Sequence, residues 1–301
     1  AKDAPSWLPA LRKKAFERFT TLGFPTTRDE DWHFTSVTPI AERTFKAIRP
    51  AATTLTLSDL EAYLVDPEWH RLVFVNGKLE PALSQFAGLP ADVQLAPLSE
   101  VLKEEPDWAK RHLGSLAAFD KAAFTAMNTA FMQDGVVLRV PKGEVVDVPI
   151  HILHVTDANA AGAAIHPRLL VVAEALSSVM IVEQYIGLGS VSYLVNAVAE
   201  IVVGNGARVD HYKVQNESTE AFHVGTAQVT QGRDSIYHSF SFASGAALSR
   251  TNIYTKLADT NSEARLNGLY LLDGSQHGDH QTFVEHLAEA CASRELYCGV
   301  L

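Results

Sequence analysis

The chain has 301 residues, of which 47% are hydrophobic and 20% charged, and a net charge of −10. So much apolar material with so little charge excludes disorder and allows one large domain or two ordinary ones. No cluster of Lys or Arg is present, which excludes a nucleic-acid surface and disfavours an anionic membrane.

The segment Ala1–Trp7 has no apolar stretch of the kind a signal peptide needs. No apolar run approaches the roughly 18 residues of a membrane span. With just two cysteines, Cys291 and Cys298, nothing points to an oxidising compartment. A cytoplasmic protein is expected.

In chain order, Leu8, Leu11, Ala15, Phe19 and Leu22 recur at helical spacing, and Gly23 with Pro25 closes the run. The acidic, aromatic loop Arg28–Thr35 follows. Its Trp32 and Phe34 read first as anchors for the N-terminal segment and second as a partner-docking patch. Short helices are expected over Leu57–Leu64 and Leu98–Leu102. Arg71–Val75 with Asn76-Gly77 reads as a strand and tight turn. A longer helix is expected over Leu113–Met132.

From Val136 the period changes. Val136–Val140 and Val145–Val155 favour strands, with Pro141 and Gly143 between them, and Ala158–Ala164 reads as an exposed loop. From Pro167 to Leu301 short Val-, Ile-, Tyr- and Thr-rich runs alternate with turn signals such as Gly187-Leu-Gly189, Gly204-Asn-Gly206, Gly232-Arg-Asp234 and Asp259-Thr-Asn261. These recur about every 14 residues. A strand–turn unit of this size buries its apolar face by stacking on copies of itself. The expected organisation is a mostly helical region over 1–115 and a stacked β-architecture over 116–301.

The densest polar stretch is Gln276–His286. As a strand it places His277, Asp279 and Glu285 on one face and His280, Thr282, Val284 and His286 on the other. His280 and His286 then lie about 20 Å apart along the strand, too far to share a metal unless the chain bends. His277 and Asp279, about 7 Å apart, could share one. The plainer reading is a polar ladder. Cys291 and Cys298 form a C-x₆-C pair, which is neither a zinc-finger nor an iron–sulfur spacing. Each reads as a small buried apolar residue, or as a thiolate ligand completed by a His on another coil or subunit. No phosphate-binding G-x-x-x-x-G-K-[ST], dinucleotide fingerprint or G-x-S-x-G elbow is present.

Gly23-Phe-Pro25, Glu30–Thr35, Phe124–Asn128, Asp134-Gly135, His166-Pro-Arg168, Glu183-Gln-Tyr185, Asn196–Glu200, Asp279-His280 through Glu285-His286, Cys291 and Ser293-Arg294 occur in one order. This ordered set resembles SufD, in the family of SUF iron–sulfur cluster assembly scaffold subunits. The resemblance implies a right-handed parallel β-helix behind a small helical N-terminal region. It implies pairing with a SufB-like subunit, and engagement of a SufC-like ATPase that hydrolyses the nucleotide, consistent with the missing phosphate loop. Relatives of this kind continue into a C-terminal helical domain that docks the ATPase. With its last residue at Leu301 the chain is expected to lack that domain, leaving ATPase docking in doubt and an unpaired strand edge that gives the isolated chain a route to a homodimer. Cys298 also stands where the resemblance expects Lys.

The reading is a non-enzymatic scaffold with no cofactor of its own, touching a transient iron–sulfur cluster shared with a partner. The candidate ligands here are Cys291, His286 and His280, since iron and sulfide favour thiolate and imidazole. Two enzyme alternatives compete. One is a β-helix hydrolase or lyase acting on acidic polysaccharide through Arg233, Asp234, Arg250 and Lys256. The other is a cupin-like metalloenzyme using His277, Asp279 and a further His.

Overall fold

From Gly135 onward the chain alternates, strand by strand, between two parallel sheets that face each other. The structure is a computed structural model and describes residues 4–48, 52–86 and 88–301; the first three residues of the segment Ala1–Trp7 lie outside these. One sheet holds Gly135–Val140, Arg168–Ala173, Leu194–Val203, Phe222–Gln231, Leu248–Leu257 and His277–His286. The other holds Val145–Thr156, Ser178–Gly187, Arg208–Asn216, Ile236–Ala243, Glu263–Leu271 and Ala292–Val300. Together they make a β-solenoid of about 6 turns.

The register explains the sequence period. Val198 lies beside Thr226, Thr226 beside Asn252, and Asn252 beside Gln281. One coil there takes 26 to 29 residues (198 to 226, 226 to 252, 252 to 281). The repeat of about 14 residues is half a coil, one strand with its turn. The turns also stack: Asn205 Oδ1 accepts from the Arg233 amide at 3.1 Å, and Asn261 Nδ2 donates to Asp234 Oδ1 at 2.7 Å. Asp234 and Asn261 both occupy the left-handed region, with φ of 58° and 59°, which Asp and Asn tolerate better than most residues.

Between the sheets lies an apolar core that includes Leu138, Ile152, Val171, Ile181, Ile201 and Val209. The outer faces of the early coils are apolar as well, because the N-terminal region covers them. Helix Leu8–Leu22 ends at Gly23, whose amide bonds Phe19 O, and it packs on helix Ala123–Phe131. Phe124 and Met127 of the latter lie on Leu194, Phe222, Val224 and Leu248. This cover is why Leu194–Val203 reads as a continuous apolar run rather than an alternating one.

The N-terminal region contributes strands too. His70–Val75 runs parallel to Ile150–Val155, and Gln94–Pro97 runs antiparallel to Val136–Arg139, so both sheets extend into it. The short helices near Leu57 and Leu98 and the hairpin at Asn76-Gly77 are present. Two expectations need correction. The helix over Leu113–Met132 is confined to Ala123–Phe131, and a separate short helix spans Pro106–His112. Residues 113–122 stay irregular because the amides of Gly114, Leu116 and Ala117 all donate to the Glu200 carboxylate at 2.8–3.0 Å, which removes them from any helix ladder. The expected loop Ala158–Ala164 contains a 3₁₀ turn over Ala158–Ala160, and Ala163–Ile165 pairs with Lys46–Ala47 and with Leu194-Val195.

Candidate functional site

Inside the middle coils the apolar filling gives way to polar side chains. Alternation sends every second residue of a strand inward. On the second sheet Glu183, Lys213 and Ser241 stack in register, as do Ile181, His211 and Ser239. Facing them on the first sheet are Ala197, Gly225, Thr251 and His280. The small residues make room. Gly225 in particular lies under the Lys213 ammonium, and a Cβ there would fall 2.1 Å from Nζ. A cavity of about 20 Å³ remains between these rows, roughly the space of one water.

The interior polar groups are tied into one network. His211 Nε2 donates to Glu183 Oε2 at 3.0 Å, and its Nδ1 lies 3.2 Å from the Tyr237 hydroxyl. Tyr185 donates its hydroxyl to the other Glu183 oxygen. The Lys213 ammonium sits 5.5 Å from the centre of the Tyr185 ring. On the far side of that ring, His154 stacks between Tyr185 and Phe74 at 4.6 and 5.2 Å. Glu217 accepts from His223 Nδ1 at 2.6 Å and from Gln215 Nε2 at 3.1 Å.

Burial alone would raise the Glu183 carboxyl. The hydrogen bond and charge of His211, with Lys213, outweigh it and hold Glu183 below the usual carboxylate range. Burial pushes Lys213 down, against the pull of Glu183 and Glu217. It also lowers His223, helped by the nearby Lys213, and brings His154 down to about 4. The file Tyr185–Glu183–His211–Tyr237 is hydrogen-bonded end to end and ties three successive strands of the second sheet together through their inward side chains.

A second buried network joins the N-terminal region to the coils. Arg168 and Glu200 are both fully buried and paired at 2.5 Å. Arg168 also donates to Asn128 Oδ1 at 2.9 Å, while Asn128 Nδ2 donates to the carbonyls of Pro167 and Asn196. Asn196 Nδ2 returns a bond to Phe124 O at 2.8 Å. Three of the sequence motifs, Phe124–Asn128, His166–Arg168 and Asn196–Glu200, are therefore one clamp.

The candidate metal ligands do not converge. His280 points into the lumen of the last coil, between the rings of Tyr270 and Tyr297, with Nε2 3.2 Å from Ser241 Oγ. Burial brings it down to about 4. His286 is exposed at the strand end, 3.1 Å from Ser293 Oγ. Cys291 lies in the following turn, and its thiol donates to Asp259 O at 3.3 Å. Among the described residues no group of three His, Cys, Asp or Glu is arranged to hold a metal. Cys298 is exposed, so the reading of it as a buried apolar residue fails.

The residues of the enzyme alternatives are occupied otherwise. His277 Nε2 and Asp279 both contact Thr35 Oγ1, with no third ligand beside them among the described residues. Arg250 is buried. It pairs with Asp279, bonds Gln281, and lies 3.9 Å over the Trp32 ring. Arg233 and Asp234 face each other at a turn, and Lys256 pairs with Glu285. The anchor reading of the acid–aromatic loop holds for Trp32, stacked 5.3 Å from Phe124, but Phe34 is 86% exposed and anchors nothing.

These features define a class: a β-solenoid with a buried polar lumen, clamped to an N-terminal cap. Residues 1–152 match the family model for the SufBD protein N-terminal region, and residues 154–301 match that for the SUF system FeS cluster assembly, SufBD core domain. The chain belongs to the SufBD family. It is 30% identical over 283 residues to the iron-sulfur cluster assembly SufBD family protein of Synechocystis, covering 90% of this chain and 61% of that one. To the iron-sulfur cluster assembly protein SufD of Escherichia coli it is 26% identical over 288 residues, 93% of this chain and 63% of that one. To SufD of Bacillus subtilis it is 28% identical over 240 residues, 77% and 54% respectively. The chain thus spans less than two thirds of the length of these relatives.

Proposed function

We propose that this chain is a non-catalytic scaffold subunit in iron–sulfur cluster assembly, working beside a SufB-like subunit and a SufC-like ATPase in the cytoplasm. The observation that carries this is the buried polar lumen of the middle coils. Of the residue types able to do acid–base chemistry, Glu183 and His211 are paired with each other inside the coils, and Lys213 is buried there over the Tyr185 ring. The residues suggested for hydrolysis or metal chemistry are engaged in ion pairs, in the contacts of Arg250 with Asp31, Trp32 and Gln281, and in bonds of His277 and Asp279 to Thr35. Family membership favours SUF assembly, and no helix among the described residues is long and apolar enough to cross a membrane.

Cys291, His286 and His280 remain the proposed contacts to a cluster. Because they stand apart, a partner subunit would have to complete any site that uses them. Co-expression of the full chain with SufB-like and SufC-like proteins from the same source tests the reading. A stable complex carrying iron and acid-labile sulfide is expected. A chain that purifies alone under every condition would overturn it.

A further inference from the structure

Outside the lumen the seam between N-terminal cap and solenoid holds a cavity of about 230 Å³. Its walls are Phe19 of the first helix, Met127 and Phe131 of the helix Ala123–Phe131, Leu194 of the first sheet, and Phe24 and Phe45 of the segments between them. Cavities at such seams, mostly apolar with a few polar groups, are where small ligands settle. The polar groups here are all donors or amides. Arg43 and Lys46 stand at the rim, with His166 and Gln133 beside them.

The rim is basic in a chain whose net charge is −10. Among the described residues neither Arg43 nor Lys46 has a carboxylate partner. Arg43 is nonetheless held in place: it lies 4.8 Å over the Phe222 ring and donates to Ser192 Oγ at 2.5 Å. That leaves guanidinium N–H groups free in a fixed position at the mouth. His166 stacks on Phe131 at 5.7 Å, and its Nδ1 faces Asn196 Nδ2 at 3.4 Å. An amide nitrogen donates, so Nδ1 accepts and the proton sits on Nε2. Burial keeps the ring neutral, down to about 4.

We propose that this cavity binds a small carboxylate with a short acyl or single-ring aryl body, its chain among Phe19, Phe24, Phe45 and Phe131 and its carboxylate on Arg43 and Lys46. The volume sets the size, since an apolar cavity of roughly 150 Å³ already accepts a benzene ring. The unpaired cations set the charge, since Arg holds a carboxylate by two parallel hydrogen bonds. This inference is independent of the role in cluster assembly.

The test is titration of the full chain with octanoate, octan-1-ol and octylammonium, read by isothermal calorimetry and thermal shift. Saturable one-to-one binding of octanoate is expected, with affinity at least about tenfold above octan-1-ol and no binding of octylammonium. Arg43→Gln should weaken octanoate about tenfold. Because Arg43 also packs on Phe222, Lys46→Gln is the second variant. Lys46 is exposed and bonded only through its backbone, so this change leaves the fold intact while weakening octanoate several-fold. Equal binding of octanoate and octan-1-ol, no binding of either, or unchanged octanoate affinity in both variants would overturn the proposal.

Discussion

At the scale of single residues, Arg168 and Glu200 make the sharpest prediction. Removing one partner of a fully buried pair leaves an uncompensated charge and costs about 3–5 kcal/mol. Glu200→Gln should therefore lower the urea midpoint strongly at pH 7, and an unchanged midpoint would mean the clamp contributes little. Burial raises the Glu200 carboxyl, but Arg168 and the amides of Ala117 and Gly114 bring it below its ordinary value. Its contribution is then present above the unfolded pKa of about 4.3 and is lost as pH falls through the lower folded value. The variant should lose that share of the acid sensitivity. His280 behaves oppositely in origin though not in direction. It is neutral in the fold, down to about 4, whereas the unfolded chain takes up a proton at about 6.5. Between those values the unfolded state binds more protons, so stability falls as pH drops from about 6.5 toward 4. His280→Phe should flatten this part of the curve in denaturation at pH 7.5 and pH 5. An identical pH dependence in both proteins would contradict the buried, neutral placement.

At the scale of elements, the loop after the first helix acts as a strap over the last coils. Trp32 lies under Arg250, Arg250 pairs with Asp279, and Thr35 is bonded to Asp279 and His277. Trp32→Ala should speed amide exchange in residues 29–35 and 277–286 while leaving the coil around Glu183 protected. Uniform loss of protection would show that the strap and the coils unfold as one unit. Much of the element pattern is legible in the sequence. Turn residues at half-coil spacing mark the strands, and Gly23 with Pro25 marks the helix end. The helical spacing of Leu116, Phe119 and Ala123 predicts a helix through residues 113–122 that does not form. What decides the matter is Glu200, more than 80 residues away, capturing three amides. Local periodicity carries no trace of that contact.

At the scale of the whole molecule, the family motifs are legible in the sequence but their roles are not. Asn128, Arg168, Asn196 and Glu200 carry the family resemblance in sequence, and in the fold they lock cap to solenoid. The lumen escaped notice for a related reason. Glu183, His211 and Lys213 sit on alternating strands and resemble a solvated face until the coil register stacks them. The recurrence of polar residues at 183, 213 and 241, in step with the coil length, is the signal that could have found them. His280, Cys291 and His286 were chosen by residue type, and type alone does not bring them together.

The most direct test of a scaffold role is the cluster content of the partner complex, assembled with and without this chain under anaerobic iron and sulfide supply. Iron and acid-labile sulfide should accumulate to a markedly higher level when the chain is present, with no turnover of any substrate by the chain alone. Equal cluster content in its absence would contradict the account.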